Sequence, residues 1–329
     1  MEEGQPVTGS LYIYAPNEAA PILFTIFYAL SAAVHIFQCH RDRSWRLIGL
    51  QPLCGVAFTL GYALRAYNAF DAYLYTESNL LIYILSQVCI FVCPPLLELA
   101  NYHILGRTLS YIPHLSPLSP KMVLRVFGTI MLVIETLNSL GVSLSANPSS
   151  SPITQDLGKY MTLVALAMQI LVILVFFVLT TMFHMRIRKV GIRSQAVSIT
   201  LRTLYLSMGL IFVRCIYRLV EHLGNTKIDL DDAAALADLS PILRYEAFFF
   251  VFEAALMLID LALWNMWNPG WWFKKNVYLG SDGVTEIEYE DNKRAWWARW
   301  LPRSSERNGY EMKENSEADG EALQSDRNL

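Results

Sequence analysis

Seven stretches of this chain are long and apolar enough to cross a bilayer core, which takes about 20 predominantly apolar residues in helical form. They lie near Pro21–Phe37, Leu47–Tyr67, Asn79–Ala100, Met122–Leu144, Leu157–Phe183, Leu201–Leu219 and Arg244–Trp267. Inside hydrocarbon every backbone N–H and C=O must find a partner within the protein, so runs of this length are helices. The expected fold is an all-α polytopic membrane protein with seven transmembrane helices. A composition of 54% hydrophobic and 17% charged residues fits no ordinary soluble domain. The net charge of -3, with no basic stripe or zinc-finger spacing, gives nucleic acid nothing to bind.

Charge in the connecting loops predicts the orientation. Arg41, Arg43 and Arg46 follow the first span, Arg107, Lys121 and Arg125 surround the loop after the third, and Arg186, Arg188, Lys189, Arg193 and Arg202 follow the fifth. The alternate loops are poor in Lys and Arg and carry Asp71, Glu77, Asp156, Asp229, Asp231, Asp232 and Asp238. The N-terminus is therefore expected outside and the C-terminus in the cytosol. With Glu2, Glu3 and Glu18 and no basic residue before the first span, the N-terminal segment does not read as a cleaved signal.

Three regions follow. Residues 1–20 form an extracellular segment, 21–270 the seven-helix domain and 271–329 a polar, disordered cytosolic tail. The exit from the last span is marked by Trp271, Trp272, Lys274 and Lys275, and Lys293–Arg303 mixes three tryptophans with basic residues as an interfacial patch does. Beyond it the acids Glu306 to Asp326 leave too little apolar surface to fold. Five cysteines without a Cys-x-x-Cys pair read as small buried residues. The one glycosylation frame, Asn147-Pro148-Ser149, is blocked by its proline.

Within the sixth and seventh spans lie six charges on helical spacing. Arg214, Arg218 and Glu221 stand at i, i+4 and i+7, while Glu246, Glu253 and Asp260 repeat every seven residues, so each set is expected on one helix face. A charge at mid-bilayer costs about 2.5–3.5 kcal/mol on insertion scales, so such residues face protein or water and mark candidate sites. With antiparallel helices, Arg214 falls level with Glu253, and Arg218 with Glu221 or Glu246. Asp260 sits deeper, without an evident partner.

Two readings of this ladder stand open: a staple between two helices, or a headgroup site able to take a cationic amine on Glu246 or Glu253. Gln169, Glu135 and Asn138 are further polar residues that could line the same cavity, or simply bond between helices. Glu98 is expected to snorkel toward headgroups or Arg107. Pro94-Pro95 should kink or break the third span.

Enzyme readings are thin. Seven-span zinc hydrolases need several intramembrane histidines, whereas here only His35 falls well inside a span and no His-x-x-x-His pair exists. No Gly-x-x-x-x-Gly-Lys-Ser/Thr loop supports nucleotide hydrolysis. No enzyme, metal or other cofactor is expected.

The chain resembles the fungal RTA-like lipid-translocating exporter family from about Tyr14 to Gly270. The resemblance rests on Arg214-x-x-Tyr217-Arg218-x-x-Glu221-x-x-Gly224, then Glu246, Glu253, Met257 and Pro269-Gly270. Tyr14-x-Pro16-Asn17, Gly61-Tyr62-x-x-Arg65, Pro94, Tyr102, Gly106-Arg107 and Gln169 support it. Phe58 and Met131 stand where the family usually carries acids, Asn138 where it carries glutamine, Glu253 where it carries aspartate and Phe250 where it carries tyrosine.

The resemblance implies seven spans and export of sphingoid long-chain bases or related amphipaths across a fungal membrane, with resistance to toxic amphipaths. The expected substrate site comprises Arg214, Arg218, Glu221, Glu246, Glu253 and Gln169, with Asp260, Glu135, Asn138 and Tyr217 secondary. The partners expected are membrane lipids or amphipathic small molecules, in the plasma membrane or alternatively an endomembrane. The competing reading is a seven-span receptor or sensor of lipid or membrane stress, signalling through the Arg186–Arg202 loop and the tail.

Overall fold

The computed structural model describes residues 7–146, 151–192, 194–224, 236, 239–271, 273, 277–280 and 286–288. The blocked glycosylation frame, Arg193, Asp229, Asp231, Asp232, Asp238, Trp272, Lys274, Lys275, the Lys293–Arg303 patch and the acidic tail lie outside these residues.

Long helices account for nearly all of the structure: α1 (Ala19–Arg41), α2 (Leu50–Asp71), α3 (Glu77–Phe91), α4 (Cys93–Tyr111), α5 (Pro120–Ala146), α6 (Pro152–Val190) and α7 (Gln195–Leu223). The last helix is interrupted: α8 (Glu246–Phe249) leads through a π-helical segment, Phe250–Ala255, into α9 (Leu256–Met266). Helices α3 and α4 are one rod of 35 residues, Glu77–Tyr111. Pro94 and Pro95 offer no N–H to the preceding turn, which interrupts the bonding pattern, yet Val92 keeps helical angles (φ -75°, ψ -24°). The prolines therefore mark a joint and not a break.

Six helical stretches among the described residues are long and apolar enough to span a membrane: Ala19–Arg41, Glu77–Tyr111, Met122–Ser145, Ile153–Val190, Gln195–Leu223 and Glu246–Trp271. The other expected span corresponds to α2, whose 22 residues have the length but whose Gln51, Arg65 and Asn68 lower its apolarity. Those three side chains are buried, while Leu53, Val56, Leu60 and Phe70 on the same helix are exposed. The whole bundle is arranged this way. Leu30, Phe37, Leu132, Leu171 and Val178 face outward and Gln169, Ser207, Arg214, Glu253 and Asp260 face inward, as a lipid solvent requires.

Neighbouring helices pack in the order of the chain, α1 with α2, α2 with α3, α4 with α5, α5 with α6 and α6 with α7, and the last helix closes against α1 and α7. The tightest crossing joins α5 to α6. A Cβ at Gly141 would stand 2.8 Å from the Gly158 carbonyl oxygen and one at Gly158 2.6 Å from that of Gly141, so the two backbones meet where neither residue has a side chain. Between α1 and the last helix the join is polar. The Tyr28 hydroxyl, His35 Nε2 and Gln38 Nε2 each lie 2.7–3.1 Å from a backbone carbonyl, those of Ala254, Leu261 and Asn265.

Residues 7–17 are ordered over one end of the bundle. Ser10 bridges Leu74, Leu11 N–H donates to the Tyr73 carbonyl and Ile13 packs with Leu236 and Leu239. At the opposite end the region expected to be a disordered tail begins with structure. Strand β1 (Val277–Leu279) pairs antiparallel with β2 (Glu286–Glu288), Val277 and Leu279 are buried, and Phe273 packs edge-on against Tyr111 of α4. The apolar side chains of Phe273, Val277 and Leu279 supply the burial that holds this part of the chain.

Candidate functional site

The charges of the last helix do not all face the same helix: Glu253 and Asp260 turn to α7 and Glu246 to α2. A π-helical turn holds more residues than an α turn, so residues on either side of it lose the i, i+7 register. Glu246 lies before the π segment, Glu253 inside it and Asp260 after it. Each consequently meets a different neighbour.

Glu253, fully buried, takes the guanidinium of Arg214 on α7. Arg214 Nε lies 2.9 and 3.0 Å from the two carboxylate oxygens, and its terminal nitrogen 2.8 Å from Oε1. One turn further along α7, Arg218 donates to Glu221 at 2.5 Å and stacks on the Phe91 ring at 4.4 Å. Its other terminal nitrogen approaches His222 Nε2 at 3.4 Å. A guanidinium only donates, so this contact needs that ring nitrogen as its acceptor.

Glu246 pairs instead with Arg65 of α2, at 2.8 Å. Arg65 is 2% exposed, lies 4.5 Å over the Tyr12 ring and 4.2 Å over that of Phe249, and donates to the Tyr14 hydroxyl at 3.2 Å. The second Glu246 oxygen accepts the backbone N–H of Asn17 at 2.7 Å, and the Asn17 side chain caps α1 by accepting from Ala19 and Ala20. Glu246 thus ties the N-terminal segment, α2 and the last helix together. Burial pushes the phenols of Tyr12 and Tyr14 up from their ordinary value of 10.0, so both remain neutral partners of Arg65.

Asp260 is fully buried with neither oxygen hydrogen-bonded among the described residues, and Ser207 of α7 is its polar neighbour. The Ser207 hydroxyl oxygen accepts from Asn101 Nδ2 at 2.8 Å and from Trp264 Nε1 at 3.1 Å. Glu98 does not snorkel. Its carboxylate is 1% exposed, one oxygen accepting the Tyr102 phenol and the other the Gln169 amide at 2.8 Å. Two neutral donors inside the bundle hold it, while Arg107 reaches the Val277 carbonyl oxygen at 3.4 Å.

A cavity of about 30 Å³ lies among α3/α4, α5, α6 and α7. Phe91 and Pro95 form one wall, Glu135 and Asn138 a second, Leu166 and Gln169 a third, and Arg214, Arg218 and His222 the fourth. Five of the expected site residues therefore border one space: Arg214, Arg218, Gln169, Glu135 and Asn138. Glu253 and Glu221 stand behind it as partners of the two arginines. Glu246 and Asp260 do not line it, and Tyr217 stacks on Phe252 at 5.5 Å.

Arg65 was not among the expected site residues, although its place in the Gly-Tyr-x-x-Arg motif and its depth in a span were signals. His222, close to the end of α7, gave no such sign. Among the described residues no group of three or more His, Cys, Asp or Glu is placed to hold a metal ion.

Three comparisons bear on the chain's kinship. No solved structure matches it. The "Lipid-translocating exporter-like protein RTA1" of Leptosphaeria maculans is 50% identical over 293 residues, 87% of this chain and 56% of that protein. The "Probable lipid transporter atnI" of Emericella nidulans is 25% identical, over 83% of this chain and 70% of its own length. A further "Lipid-translocating exporter-like protein RTA1", from Ajellomyces capsulatus, is 26% identical over 61% of this chain and 63% of its own. The chain spans little more than half the length of the first of these relatives. The model of the RTA1-like protein family matches residues 53–276, which take in most of α2, the cavity and both ion pairs of the last helix, and the chain belongs to that family.

Proposed function

We propose that this protein moves amphipathic lipids, sphingoid long-chain bases or related amphipaths, across a fungal membrane and thereby gives resistance to toxic amphipaths. The relatives named for lipid translocation and lipid transport support the broad role. The observation that carries the site is the polar cavity. Two guanidinium groups, a carboxylate, two amides and an imidazole converge on about 30 Å³ inside a bundle whose outer surface is apolar.

In this reading α2 is the seventh span, its polar residues turned inward and its apolar ones toward lipid. The N-terminal segment lies outside, the tail lies in the cytosol, and the plasma membrane is the site of action. The headgroup enters between α5, α6 and α7 while the tail stays along apolar helix faces. Room for one or two waters is too little for a whole lipid headgroup, so the helices around Arg214 separate during transport. The interrupted last helix supplies the joint at which they do so. An extended π turn leaves backbone groups without strong α-type bonds, and Tyr28 already donates to the Ala254 carbonyl there.

Reconstitution tests the proposal. Purified protein in liposomes should move a labelled sphingoid base, and Glu253→Gln should abolish the movement in folded protein. Folded wild-type protein that moves no amphipath would overturn it in favour of a sensor acting through the Arg186–Arg202 loop and the tail.

A further inference from the structure

The charge inventory of the cavity assigns a role to Glu135. Both guanidinium groups on the wall are already neutralised, Arg214 by Glu253 and Arg218 by Glu221. Arg218 is engaged further, since it stacks on Phe91 and turns its other terminal nitrogen to His222. An anion entering the cavity would meet guanidinium groups that each already hold a carboxylate. Glu135 differs. Among the described residues it is the only carboxylate on the wall and forms no ion pair; Arg214, already held by Glu253, is the charge nearest in effect, and Asn138 is its uncharged polar neighbour. Glu98, the other acid nearby, sits behind Gln169 with both oxygens engaged and does not line the space.

Counted as formal charges, the wall and its partners carry two cations and three carboxylates, Glu135 being the carboxylate without an arginine of its own among the described residues. From this balance we infer that Glu135 is the anchor for the ammonium group of a cationic, primary-amine amphipath, a role expected from the sequence for Glu246 or Glu253. Both of those are committed to arginines. Hydrogen bonding sharpens the choice of ligand. A primary ammonium donates N–H bonds to a carboxylate, and Asn138 and Gln169 on the same wall can partner a neighbouring hydroxyl. A trimethylammonium head has no N–H to donate.

This inference rests on the transport reading, and one experiment separates their failures. Full-length protein in liposomes is assayed for binding and movement of three labelled octadecyl probes: the primary amine, its N-acetyl derivative and the trimethylammonium analogue. Glu135→Gln should weaken binding of the amine by at least about tenfold and leave the neutral N-acetyl probe unaffected. Glu135→Asp should restore part of the loss, and the wild type should prefer the primary amine to the trimethylammonium head. Amine binding unchanged in a well-folded Glu135→Gln protein, or a wild type that moves the N-acetyl probe and not the amine, would overturn the assignment while transport itself stood. A wild type that binds and moves none of the probes would overturn both.

Discussion

The last helix carries two ion pairs of the same length and opposite character. Glu246 and Glu253 each meet an arginine at 2.8 Å. Beside Glu246, three aromatic rings lie against its arginine and the N-terminal segment donates to its other oxygen. The Glu253 pair borders a cavity, with Arg214 on the cavity wall. A buried pair by itself is weak evidence of stability or purpose. What distinguishes the two is the surroundings: one pair clasps three segments together, the other faces room that a ligand can enter.

Substitutions can break or sharpen this contrast. The largest effect is expected at Arg214. Arg214→Ala leaves Glu253 buried without a counter-ion and should cost about 3–5 kcal/mol, read as a fall in thermal stability in detergent together with loss of flux. Replacing both partners by methionine should recover most of the stability and none of the transport.

Glu246→Gln should cost less, about 2–3 kcal/mol, because the amide can still accept from Asn17. Flux per folded molecule should stay near wild type, and a collapse there would erase the distinction between clasp and site. Arg65→Lys keeps the charge but loses the planar contact with Tyr12 and Phe249, an expected loss of about 1–2 kcal/mol in chemical denaturation.

Smallest is Tyr14→Phe, which removes one hydrogen bond worth about 1 kcal/mol. The same tyrosine fixes the sign of the clasp's pH dependence. Its folded pKa is raised, so its contribution is intact below the unfolded value of 10.0 and is lost as pH climbs beyond it. Thermal stability measured from pH 6 to 9 should therefore show no step from this group, and a step within that range would show that the phenol is not held as described.

Much of the site could be read in the chain before any fold was known. Charges at i, i+4 and i+7 in an apolar run must point inward, and depth alone matched Arg214 with Glu253. Depth also offered Arg218 either Glu221 or Glu246, and it meets Glu221; Glu246 finds Arg65 instead, where the i, i+7 spacing assumes an unbroken α register. The π segment at Phe250–Ala255 breaks that register, and no residue in it announces the change. Position along the span makes Glu98 a snorkelling end charge; its donors Tyr102 and Gln169 come to it only in the folded bundle, Gln169 from 71 residues away. Two departures from the family's usual acids have a plain outcome here: Phe58 stacks on Tyr28 at 4.5 Å and Met131 is buried in the core.

The sequence by itself determined the class of fold, since length and apolarity of a helix are local properties that a bilayer reads residue by residue. It also determined the family, through motifs whose members lie within a few residues of one another. Only the tertiary structure decided which carboxylate meets which arginine, because Arg65 and Glu246 are 181 residues apart and their encounter depends on how α2 packs beside an interrupted helix. It decided, too, that Glu135 stands on the cavity wall with no ion pair among the described residues. Neutralisation is a sum over neighbours in space, and a linear chain does not say who those neighbours are.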